Sequence, residues 1–322
     1  MEAREIAARP PLQVILGPCD DMRAEVFVRA SAPGTVARLE GHLAGPECRR
    51  SLTLPAGATL GDLGSSGAGL LARAVLTEPA FWTPELPNLY LLSARLVAAG
   101  RTVAEATRWI GLRRSGVRGR SLWLEGRRWV PRGVACHPDA QEVETLRAAG
   151  VAAVVRDPPD PLLTAADEAG LAIIAVAEPA DGGTSPADTV VERIRGWAMH
   201  PSVMVAILPE SCVPSLDAEA AAAFRRLKGT MIVAAVACGA SPPPGGVPAG
   251  IDCLCVALDA GRPPHDAWRE APPVPLLAWR RSAGDAATDR SGCDRLQAEL
   301  AAWGLAAGGT HRPWDWAGYL AT

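Results

Sequence analysis

The sequence predicts two units in tandem, an all-β unit followed by a parallel α/β unit. Two patterns carry this reading. Residues 11–113 hold short apolar runs, one of them strictly alternating, between clusters of Gly, Pro, Asp and Ser. From Arg132 the pattern becomes strand–helix alternation, with continuously apolar strands of the kind buried on both faces of a parallel sheet. A chain of 322 residues is long enough for two cores. The boundary is expected near residue 115, giving domains 1–115 and 116–322.

Composition narrows the function classes. The hydrophobic share of 48% and charged share of 21% are those of a soluble globular protein. A net charge of −3 and a pI near 6.0 argue against a nucleic-acid surface. Lys228 is the only lysine among many arginines, a compositional bias without functional content. The start, Met1 to Glu5, lacks the charged-then-apolar layout of a signal peptide. No apolar run approaches the ~20 residues that span a bilayer. A cytoplasmic protein, without membrane or nucleic-acid partner, is the expectation. The eight cysteines form no C-x-x-C pair. Cys253 and Cys255 share one face of a strand, but two thiols do not make a zinc site. Reduced, buried cysteines are expected, with no metal and no cofactor.

In chain order, strands are expected at 12–16, 24–28, 36–43, 50–54, 70–76, 89–97 and 102–108. Their spacing suggests a β-sandwich. The glycine-rich 61–69 reads as a connector, too irregular for a phosphate loop. Residues 122–130 form a hairpin. Next comes a strand at 133–136, a helix at 139–149 stopped by Gly150, and a strand at 151–156. A helix at 162–168 precedes a strand at 171–176. Helices at 188–199 and 217–228 flank a strand at 203–208. Strands at 231–237, 253–258 and 274–279 follow, then a helix at 293–303 with Leu296, Leu300 and Trp303 on one face. Seven strands are clear and an eighth is weak, near 305–316. A (β/α)8 barrel takes ~250 residues. This one would be compact, with 240–250 and 261–264 replacing helices, and an incomplete barrel is the alternative.

Several blocks then resemble one family. Trp82-Thr83-Pro84-Glu85-Leu86-Pro87-Asn88-Leu89-Tyr90, Gly111-Leu112-Arg113 and the hairpin ending in Arg132-Gly133-Val134 and His137 follow its order. So do Arg147 to Arg156, Ala166-Asp167-Glu168-Ala169-Gly170, and His200-Pro201-Ser202-Val203 running to Glu210. Over about 82–210 the chain resembles glycoside hydrolase family 2, the β-galactosidases and β-glucuronidases. The resemblance implies an immunoglobulin-like β-sandwich followed by a TIM barrel. It also implies that the family's N-terminal jelly-roll domain is missing here.

Active residues of such barrels sit at the C-terminal strand ends. Retaining glycosidases need two carboxylates about 5–5.5 Å apart. The resemblance makes Glu210 the candidate acid/base, with the frame shifted by one residue. Where the family places its nucleophile Glu, this chain has Ala278 or Trp279. His137, Arg156, Asp157, Glu178, Trp279 and Trp314 are the candidate substrate contacts, each with a structural alternative as an ion pair or packed ring. The expectation is therefore a family-like pseudoenzyme that binds carbohydrate or scaffolds a partner. One alternative is an active O-glycosyl hydrolase pairing Glu210 with Glu178 or Asp259. Another is a protein-interaction module, with a protein partner or a homo-oligomer.

Overall fold

The computed structural model describes residues 12–31, 38–66, 69–137, 142–179, 186–209, 211, 218–244, 246–270, 273–281, 290–306 and 313–322. The chain divides into two compact units, Met1–Leu112 and Arg113–Thr322.

The first unit holds β1 (Leu12–Cys19), β2 (Arg23–Ala30), β3 (Arg38–Glu47), β4 (Ala56–Ser66), β5 (Gly69–Thr77), β6 (Leu89–Ala98) and β7 (Arg101–Ile110). They make one continuous antiparallel sheet in the order β1-β2-β5-β4-β3-β6-β7. The sheet curls because β4 changes partner midway. Its first half pairs with β3 through Leu60, and its second half pairs with β5 from Gly61 onward. The two inner faces share a core of Val26, Val28, Ala72 and Ala74 against Leu39, Leu43, Leu92 and Leu96. This is the expected sandwich in a curled form.

Two local expectations are corrected. Most of the glycine-rich 61–69 is strand, not connector. Glycines suit a strand that passes between layers: a Cβ on Gly57 would meet Leu43 O at 3.3 Å, so neighbouring backbone lies close. Residues 51–55 form no strand; Leu52 and Leu54 are exposed there, ahead of Pro55.

Trp82 closes this unit. Its ring is fully buried, and its backbone N–H donates to Leu112 O at 2.6 Å. The Tyr90 hydroxyl accepts the Ala80 N–H at 2.8 Å. The prolines of 82–90 thus punctuate a segment fixed at both ends.

The second unit opens with β8 (Ser115–Arg118), β9 (Ser121–Leu124) and β10 (Arg127–Trp129), a three-stranded sheet. Glu125 and Gly126 between β9 and β10 have φ of 47° and 73°, as a two-residue type I′ turn requires. The barrel follows: β11 (Arg132–Ala135), α1 (Val143–Ala148), β12 (Ala152–Arg156), α2 (Asp160–Ala169), β13 (Ile173–Val176), α3 (Pro186–Trp197), β14 (Val203–Leu208), α4 (Ala218–Leu227), β15 (Ile232–Cys238), β16 (Cys253–Leu258), β17 (Leu276–Arg280), α5 (Arg290–Ala306) and β18 (Trp316–Ala321). All eight strands are parallel, and β18 pairs with β11 to close the cylinder. The incomplete-barrel alternative is therefore wrong. The eighth strand is weak in the sequence because it begins only at Trp316, later than expected, and carries Gly318. Among the described residues between β16 and β17, the helical segment is a short 3-10 helix, Asp266–Glu270.

Alternation assigns each strand two faces. Val155, Ala175, Val256 and Ala278 pack with Leu296 and Leu300 of α5 and other helix residues. Their neighbours Val154, Ile174, Cys255, Leu277 and Trp279 therefore face the interior. A Cβ built on Gly133 would lie 2.4 Å from Leu320, 2.9 Å from Val154 and 3.2 Å from Ile174. The interior is thus a packed core.

At the N-terminal end of β14 a buried polar cluster ties α2 to the barrel. His200 Nδ1 lies 2.7 Å from Asp167 Oδ2, and the Ser202 N–H donates to Asp167 Oδ1 at 2.9 Å. The Arg113 guanidinium donates to Pro201 O and to Val203 O, the latter at 2.8 Å. Burial brings Arg113 down to about 10, with the Asp167 charge opposing it.

Candidate active site

The C-terminal strand ends form a mouth. By alternation His137 follows the interior face of β11, Arg156 that of β12 and Glu178 that of β13. Asp259 follows β16 and Arg281 follows β17 in the same way. These are the strand-end positions where barrel enzymes carry their chemistry.

The charges are mostly paired. Arg156 Nη1 lies 3.5 Å from Glu178 Oε1, with both side chains exposed. Such a pair contributes ~0–1 kcal/mol. Asp157 stands apart from the interior ring. Its φ of 39° turns it out of the extended conformation, and its Oδ2 lies 3.1 Å from Arg193 of α3. Arg193 also donates to Glu178 O. Asp157 Oδ1 is buried without a hydrogen bond. Burial pushes its carboxyl above the usual carboxylate range, and Arg193 opposes that shift. Arg193 was missed in the sequence because helix periodicity marks α3 without saying which of its charges reaches the strand ends.

On β17 the interior position is Trp279, while Ala278 faces the helices. The indole is 2% exposed. Its Nε1 donates to Thr322 Oγ1 at 2.9 Å, and the Arg281 guanidinium sits 4.0 Å from the ring centroid. Such a cation–π contact contributes ~0.5–1 kcal/mol or more. Arg280 points outward and pairs with Glu299 of α5 at 2.7 Å. Arg281, not Arg280, reaches the mouth, because by alternation it shares the face of Trp279.

Trp314 does not join the group. It stands two residues before β18, at the opposite end of the barrel, with Arg269 stacked 3.8 Å from its ring centroid. Its expected substrate contact is therefore corrected: the chain runs upward from Trp316, so Trp314 lies at the base. Glu210 lies outside the described residues. His137 is exposed, and its carbonyl accepts from Cys136 Sγ at 2.9 Å. Among the described residues no cluster of three or more His, Cys, Asp or Glu could hold a metal ion, and no helix is long and apolar enough to cross a membrane.

The model for glycosyl hydrolases family 2 matches residues 53–113, the stretch that ends in the Trp82 segment and Leu112-Arg113. This chain is similar to the glycosyl hydrolases of family 2. Solved structures extend the likeness in fold. An FMN-binding β-glucuronidase from Facaelibacterium prausnitzii L2-6 superposes with a TM-score of 0.67 at 16% identity, over 97% of this chain and 55% of that one. A β-glucuronidase from Bifidobacterium dentium, complexed with coumarin-3-O-glucuronide, gives 0.65 at 15%, over 96% and 59%. A glycosyl hydrolase family 2 member from Bacteroides cellulosilyticus gives 0.61 at 16%, over 96% and 45%. The chain thus spans about half the length of these family 2 neighbours. No curated protein sequence matches it significantly.

Proposed function

We propose that this protein is a family 2-like barrel that binds carbohydrate, or scaffolds a partner, and does not hydrolyse glycosides by double displacement. One observation carries the reading. The interior residue on β17, where the family pattern calls for a nucleophilic carboxylate, is Trp279, bonded to Thr322 and covered by Arg281. An indole cannot form the glycosyl ester that retention needs. The curled sheet supports the immunoglobulin-like reading of the first unit. Its strands fall into the groups β1-β2-β5-β4 and β3-β6-β7, the order ABED and CFG of constant-type domains. Tyr90 at the start of β6 bonds back upstream, as a tyrosine corner does.

A second reading has its own observation. Asp157 and Glu178 stand at the ends of adjacent strands, and Asp157 keeps a buried oxygen free of hydrogen bonds. In an active glycosidase, Glu178 would partner Glu210. A panel of nitrophenyl glycosides, with the wild type and Glu210→Gln, decides. The proposal expects no release above buffer. Turnover that falls ~10²–10⁴-fold in Glu210→Gln would establish the active enzyme instead.

A further inference from the structure

The outward face of the sheet in the first unit carries a groove of about 570 Å³, lined by residues of β3, β4, β6 and β7. That volume lies within the range of small-molecule sites, roughly 300–1,000 Å³. Strand register arranges its side chains in two rows. In one, Glu40 of β3, Arg95 of β6 and Glu105 of β7 stand side by side. In the next, Thr59, His42, Ser93 and Thr107 do the same. Neighbouring strands lie about 4.8 Å apart, so each row offers a polar group at roughly that interval across the face.

The chemistry of the rows is selective. Glu40 Oε2 accepts two hydrogen bonds from Arg95, at 2.9 and 3.2 Å, and its Oε1 lies 3.2 Å from Arg38 at the start of β3. With Glu105 beside Arg95, the two arginines and two glutamates balance in charge. Glu105 and His42 have no such partner among the described residues and stay available to a ligand. The second row supplies three hydroxyls. An anion gains little from a guanidinium already paired with a carboxylate. A neutral molecule with many hydroxyls gains from every position, because carboxylate, guanidinium, imidazole and hydroxyl groups between them accept and donate.

Gly41 makes the close packing beneath this face. A Cβ there would lie 2.1 Å from Ser93 O and 3.0 Å from Ala94 Cα. The β3 and β6 backbones therefore approach more closely than any side chain at position 41 would allow, on strands whose opposite face is the sandwich core.

We propose that this groove is a binding site for a neutral oligosaccharide, separate from the barrel mouth. The test uses the full chain on an array of neutral oligosaccharides, then calorimetry with the strongest hit. Ser93→Arg fills the groove, and Glu105→Ala removes its free carboxylate. Both positions are on the outward face, and thermal melts check that each variant folds. Each is expected to weaken binding about tenfold or more, while Arg281→Ala at the mouth leaves it within about twofold. Three results would overturn the proposal: no saccharide bound, binding lost in Arg281→Ala but kept in Ser93→Arg, or heat with a tri-arginine peptide and none with saccharides. The first result would also remove the carbohydrate-binding half of the proposed function, whereas the second would remove this groove alone and leave that reading standing.

Discussion

At the scale of single residues, buried ionisable groups decide the most. Arg113 is 3% exposed, and its charge is met by two backbone carbonyls and the nearby Asp167. Removing the guanidinium leaves the buried Pro201 and Val203 carbonyls without its hydrogen bonds, which costs about 1–3 kcal/mol. Arg113→Ala should lose that much in denaturant titration, and a loss under 1 kcal/mol would show that Asp167 and His200 suffice alone. Cysteines set a second effect. Burial raises the thiol of Cys293 to about 11 and pushes Cys253 and Cys255 above their ordinary value of 9.0. Unfolded thiols ionise near 9 while these stay protonated when folded. The folded state then binds more protons, so stability falls as pH rises past about 9. Melting temperatures at pH 8 and pH 10 should differ, and Cys253→Ala with Cys255→Ala should flatten the difference. An unchanged slope would place these thiols in contact with water. At this scale the sequence was legible for Asp167 and His200, which lie in recurring family blocks. It was silent on Arg193 and Arg281, because reach across a sheet end is set by tertiary geometry.

At the scale of elements, apolar runs located the barrel strands well. Val154, Ile174, Ile207 and Cys255 lie inside continuous runs that only burial on both faces permits. Strands built on glycine escaped. β4 holds Gly57, Gly61 and Gly64 and carries no apolar alternation to read. β18 starts late for the same reason, with Gly318 packed against Pro131 and Leu277. Glycine is needed where backbones crowd, and Gly41 is the sharpest case. Gly41→Ala should destabilise the chain by about 1–3 kcal/mol through overpacking. Gly116→Ala in β8 meets nothing within 4 Å and should stay within about 0.5 kcal/mol. Equal losses in denaturant titration would remove the close approach of β3 and β6 as the cause.

At the scale of the whole molecule, two units with separate cores carry two kinds of surface. The barrel has the closed parallel architecture on which family 2 chemistry is built, with packed interior and charged mouth. On the proposed reading, Trp279 near the end of β17 stands where the family pattern calls for the nucleophilic acid. The family frame was readable because proline, glycine and buried polar positions constrain the backbone, whatever the active residues become. The charge pairing at the mouth was not readable, since the sequence lists strand-end acids without saying which are already bound to arginine. The direct test is nitrophenol release from aryl glycosides by the wild-type chain. The account predicts a rate equal to buffer, with Glu210→Gln indistinguishable. Turnover by the wild type that Glu210→Gln abolishes would contradict it.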